Sequence, residues 1–146
     1  MCAVLELARS YIDDPDRLVT SEHIAVAQNI PGKFLEGILR ELRQANIVAS
    51  RRGPEGGYRL AAPPQTITVA DVIRALDGPL AAVRGQRPED VIHSDSALVD
   101  VWIALRAAMR SVLEEISIDQ VLDGNFKEEI RNLINSPGAR HRRDRS

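Results

Sequence analysis

Six cations crowd the stretch 29–60. Lys33, Arg40, Arg43, Arg51, Arg52 and Arg59 face only Glu36, Glu41 and Glu55, a local net of +3 in a 146-residue chain whose total is −2. The positive field is therefore local. These side chains suit nucleic acid. Lys33 can reach guanine acceptors or a phosphate, Glu36 can accept from a cytosine amino group, and Arg51-Arg52 suit the negative potential of a narrow minor groove. Taken singly, each is equally at home on a solvated helix face or in an ordinary turn. Catalytic chemistry has less to stand on. His23, His93 and His141 fall in a helix start, a loop and a tail without nucleophile–base spacing, so no enzyme is expected. A single cysteine, Cys2, excludes a disulfide framework and a cysteine-rich metal site within one chain. His93 with Glu89, Asp90 and Asp95 has the donor types of an oxygen/nitrogen metal site, but a loop histidine among acids is more often solvated, and no metal is expected.

The elements around the cations give them meaning. Ala3, Val4, Leu7, Ala8 and Tyr11 recur at helical spacing. Thr20 or Ser21 can cap a short helix to Gln28 with Ile24 and Ala25 inward, and Asn29 can stop it. Pro31 opens a second helix to about Ala45, with Phe34, Leu35, Ile38, Leu39 and Leu42 as its buried stripe. Two short helices on a tight connection form a helix-turn-helix. Ile47 to Ser50 and Tyr58 to Leu60 then read as strands around Arg51-Arg52-Gly53-Pro54-Glu55-Gly56-Gly57, a tight turn tipped by two arginines. The fold class expected is mainly α with a small β-hairpin wing, a winged helix-turn-helix over residues 1–62. The wing glycines are not a phosphate loop, because no strand-to-helix transition and no Gly-Lys-Ser/Thr follows.

Beyond Pro63-Pro64, Thr68 can cap a helix from Val69 to Leu76, followed by a loop from Leu80 to Ser94, so that residues 63–94 form a post-wing and sensing segment. Residues 95–136 hold a long helix to about Ile116, then a short turn and a last helix capped by Asn125. On the long helix Leu98, Trp102, Leu105, Met109, Val112 and Ile116 are spaced 4, 3, 4, 3 and 4, a coiled-coil-type seam for dimerisation or for a single-chain bundle. Residues 137–146, with Arg140, Arg142, Arg143 and Arg145 against Asp144, read as a disordered basic tail. Aromatics at 3% disfavour stacking readers of single strands. No apolar run reaches the roughly 20 residues of a membrane span, and the first residues lack a leader pattern, so no membrane association and a cytoplasmic location are expected.

Phe34-Leu35-Glu36, Ile38-Leu39, Leu42, Ile47-Val48 and the run Ser50 to Leu60, with Ile67 to Ile73 and Leu76-Asp77-Gly78, resemble the Rrf2 family of winged-helix regulators typified by IscR, NsrR and CymR. The resemblance spans about residues 3–122, and its R-G-P-x-G-G-Y/F-x-L wing is highly specific. It implies a homodimeric transcription factor, usually a repressor, on a palindromic operator in double-stranded DNA. It also implies that Lys33, Phe34 and Glu36 lie at the DNA surface and that Arg52 enters the minor groove; Arg40 and Arg51 are read as phosphate contacts. Many members bind an iron–sulfur cluster through three cysteines before the long helix. The matching segment here has none, so no such cofactor is expected, and the input is an effector ligand or a partner protein of unknown identity. The resemblance further implies about ten residues ahead of Met1. The rival reading is a protein-interaction module that keeps the fold and has lost specific DNA binding.

Overall fold

The computed structural model describes residues 1–82, 85–87, 90 and 96–141. Helix α1 (Cys2–Asp13) leads through a polar turn to α2 (Ser21–Gln28) and α3 (Gly32–Gln44). Strands β1 (Val48–Arg51) and β2 (Gly57–Leu60) follow, then a single 3-10 turn at Pro64–Thr66 and α4 (Val69–Asp77). The chain continues with α5 (Ser96–Leu113), α6 (Ile118–Asp123) and α7 (Glu128–Ile134). Among the described residues no helix is long and apolar enough to cross a membrane.

Local chemistry sets each boundary. Thr20 caps α2, its hydroxyl oxygen accepting from the His23 amide at 3.2 Å. Asn29 ends that helix in the left-handed conformation, φ 51°, which asparagine tolerates better than most residues. Thr68 and Asp71 form a reciprocal capping box on α4, and Ser117 and Gln120 form another on α6. The apolar faces meet in one core. Val4, Leu7, Ile24, Leu35, Leu39, Leu42, Val48, Leu60 and Ile118 are at most 2% exposed, each such side chain contributing about 1.5–3 kcal/mol. Helix α1 packs on α2, β2 and α6, while α3 packs on α2, β1 and α4. The second helix of the helix-turn-helix is thus fixed from three sides.

The hairpin is antiparallel, pairing Val48 with Leu60 and Arg51 with Gly57. Its second strand is also held from the other edge, where Val19 and Tyr58 exchange two backbone hydrogen bonds of 2.8 Å each. This close approach explains Gly57, and the tight turn of the wing explains Gly56. A Cβ on Gly57 would lie 2.7 Å from the Val19 carbonyl oxygen, and one on Gly56 would lie 2.2 Å from that of Arg51. A side chain fits at neither position without moving backbone.

Several expectations need correction. Phe34 is not part of the buried stripe of α3; it is 66% exposed, and Leu35, Leu39 and Leu42 carry the burial with Ile38 half-buried. The long helix stops at Leu113, about 27 Å at 1.5 Å per residue over its 18 residues, so Ile116 lies outside the helix that was to hold the seam. The Ile116 carbonyl accepts from the Val69 amide, and Ile118 donates to Ile67, each at 2.9 Å, which pins the chain to the start of α4. The last helix is not capped by Asn125. Its first turn follows Lys127, and the Asn125 side-chain oxygen accepts instead from Arg131. Residues 137–140 form turns closed by backbone hydrogen bonds. The part of the basic tail at 142–146, and Glu89, His93 and Asp95 of the loop, lie outside the described residues.

Candidate nucleic-acid interface

Helix α3 presents its polar arc because its leucines are committed to the core. At 100° per residue, Lys33, Glu36 and Arg40 fall within an arc of about 60°, and the arc of Leu35, Leu39 and Leu42 is centred roughly 120° away from it. All three polar residues are exposed. Phe34 lies at the flank of that arc, in the first turn of the helix. Among the described residues no ion pair or side-chain hydrogen bond engages Lys33, Arg40 or Arg52. These cations are held outward without an internal counter-charge, and each retains its full demand for an anion.

The wing arginines are arranged differently. Arg51 donates to the Glu55 carbonyl across the loop at 3.2 Å, which closes the turn and sets the base of the tip. Arg52 follows at the exposed tip. Arg43, near the end of α3, donates to the Ser50 hydroxyl on β1 at 3.3 Å and ties the helix to the wing. Arg59 turns away, 3.9 Å from Asp16 and donating to the Pro15 carbonyl, so its partner is the turn after α1.

A cleft of about 460 Å³ separates the capped start of α2 from the wing, with Thr20, Glu22, Arg43, Arg51, Arg52 and Tyr58 in its walls. Sequence reasoning did not bring α2 and the wing together. The signal was the Thr20 cap beside Val19, but a single bridging residue leaves no strand-like run. The positive end of the α2 dipole and three arginines share this cleft with Glu22, an arrangement that favours an anion such as phosphate.

The proposed seam residues divide on α5. Leu98 and Leu105 are 46% and 43% exposed, while Trp102, Met109 and Val112 are half-buried. Val101, which the sequence reading passed over, is 62% exposed. Leu98, Val101, Leu105 and Ala108 are spaced 3, 4 and 3 and are all exposed, so Leu98 and Leu105 of the predicted seam share an exposed side of the helix with Val101.

Helix-turn-helix, hairpin and outward cations define a winged helix-turn-helix transcriptional regulator. Residues 1–124 match the Rrf2 family, described as an iron-dependent transcriptional regulator, and the chain belongs to that family. It is 48% identical over 118 residues to the "Putative HTH-type transcriptional regulator Rv1287" of Mycobacterium tuberculosis (strain H37Rv), covering 80% of this chain and 73% of that one. The structure of CymR, the global cysteine regulator of Bacillus subtilis, superposes with a TM-score of 0.66 at 30% identity over 84% of this chain and 89% of that chain. The IscR of T. potens superposes equally well, TM-score 0.66, at 27% identity over 89% and 88% of the two chains.

The family description raises iron. Cys2, exposed in the first turn of α1, is the one thiol in the chain, whereas iron–sulfur clusters are held by about four ligands, mostly thiolates. Among the described residues no three His, Cys, Asp or Glu side chains converge. The residues present do not fit an iron–sulfur cluster.

Proposed function

We propose that the chain is a homodimeric repressor that reads a palindromic operator, with α3 in the major groove and the wing in the minor groove. The observation that carries this reading is the unpaired set Lys33, Arg40 and Arg52 on the recognition helix and the wing tip. In it, Lys33 and Glu36 touch base edges with Phe34 beside them, Arg40 and Arg51 hold phosphates, and Arg52 enters the minor groove. A second copy is supported by α5, where the apolar residues Leu98, Val101 and Leu105 are exposed among the described residues. Two reading heads related by a two-fold axis address half-sites about 34–36 Å apart or a multiple of that.

Arg52→Ala tests the reading. Loss of a minor-groove cation is expected to cost about 1–3 kcal/mol of operator affinity and to lower the salt slope by about one. Wild-type affinity and slope in that variant would remove the wing from the interface.

A further inference from the structure

The reading helix carries a glycine that neither its packing nor its backbone requires. Gly37 lies in the middle of α3, where glycine is unfavourable relative to alanine because it gives up more backbone freedom on folding. The two structural reasons for a glycine are missing here. Its φ is not positive, and a Cβ built on it meets nothing within 4 Å, so no close neighbour demands the absent side chain. What the glycine does is leave a gap. On a helix the residues three and four positions away are surface neighbours. For Gly37 these are Lys33, Phe34, Arg40 and Glu41, and all four are exposed. The gap therefore lies on the reading face, rimmed by two cations, a carboxylate and an aromatic ring. At 100° per residue it falls between Lys33, about 40° to one side, and Phe34, about 60° to the other. Phe34 is 66% exposed in the first turn of α3, the part of a recognition helix that meets base edges in the major groove.

The polar rim suits donors, acceptors and phosphates, whereas an aromatic ring beside an empty position suits an apolar group. The floor of the major groove presents one such group, the C5-methyl of thymine, and phenylalanine is among the side chains that contact it. We propose that Phe34 and Gly37 together read a thymine by its methyl group, the ring packing against the methyl and the gap at Gly37 giving it room beside the helix backbone. The inference rests on the DNA-binding reading above and deepens it. The operator half-site then carries a thymine opposite the gap, and the chain distinguishes it from a uracil with the same hydrogen-bonding edge.

The test uses the full chain and the shortest fragment from upstream of its own gene that it protects from cleavage. Each thymine of that fragment is replaced in turn by deoxyuridine, which keeps every hydrogen-bonding group and removes only the methyl. At one position per half-site the replacement is expected to weaken binding about fourfold, the value of one buried methyl group. Phe34→Ala, which removes the ring, and Gly37→Ala, which fills the gap, are each expected to abolish that difference. Gly37→Ala should at the same time unfold at a higher temperature, so its loss of discrimination is not a loss of fold. Arg52→Ala, on the wing, is expected to lower affinity for both DNAs and keep the difference between them. Sequence preference with no thymine sensitive to deoxyuridine overturns the methyl contact and leaves the DNA-binding reading standing. A sensitive thymine whose effect persists in either variant places that effect in the DNA itself and also overturns the contact. Weak, equal binding to upstream and random DNA overturns both readings.

Discussion

Replacing Gly57 with alanine probes the docking of the wing onto the domain. The new Cβ meets the Val19 carbonyl oxygen at 2.7 Å and its carbon at 2.9 Å, both backbone atoms that no side-chain rotation can clear. The chain has two ways out. It can keep the bridge and bear the overpacking, typically 1–3 kcal/mol. Alternatively, Val19 can withdraw, losing two hydrogen bonds of 2.8 Å worth about 0.5–1.5 kcal/mol each. These are alternatives and do not add, so the expected loss is about 1–3 kcal/mol by either route. For a chain of this size that is a fall in Tm of about 3–12 °C. Gly37→Ala is the matched control, since a Cβ there meets nothing within 4 Å and the residue lies inside α3. It should stabilise by about 0.5–1 kcal/mol. Urea unfolding of both variants, with operator titration of Gly57→Ala, provides the assay. Opposite signs of stability change, and weaker operator binding by Gly57→Ala, are expected. Equal stabilities, or a Gly57→Ala protein with unchanged operator affinity, would refute the Val19 bridge as what positions the wing.

Other perturbations address the remaining parts of the molecule. Leu105→Glu, placed on the uncovered face of α5, should shift the chain to monomer at micromolar concentration; an unchanged sedimentation coefficient would contradict the seam. Thr68→Ala removes the α4 capping box and should cost about 1 kcal/mol in urea unfolding. The Arg74 hydrogen bond first, and that of Arg110 second, hold the Glu114 carboxyl below its ordinary range. Its contribution is therefore present above the unfolded value of about 4.3 and lost as pH falls through the lower folded value. In Glu114→Gln the acid limb of the stability profile should flatten, and a limb identical to wild type would remove this tie.

What the sequence made legible follows from which signals are local. The caps at Thr20 and Thr68, the stop at Asn29 and the Gly56-Gly57 pair are each written in one or a few neighbouring residues, and each element stands near where they put it. Phe34 was misplaced because a helical stripe has no sharp edge in sequence; only packing shows that α2, β1 and α4 leave its position uncovered. Ile116 kept the four-residue spacing of the long helix, but its carbonyl bonds to Val69, 47 positions back, a contact no periodicity encodes. Trp102 and Met109 are half-buried while Val101 is bare, a difference set by the fold around the helix and not by the helix itself. The cleft that joins α2 to the wing depended on the Val19 bridge, which no local run of residues encodes.

Sequence-specific DNA binding by this winged head can be tested directly. The most direct measurement is a titration of the chain against DNA from upstream of its own gene, at two salt concentrations, with random DNA as competitor. A preference of roughly 10³-fold or more for the upstream fragment is expected, with affinity falling steeply as salt rises. Weak, equal binding to both DNAs would contradict it and favour an interaction module that has kept the fold without the reading.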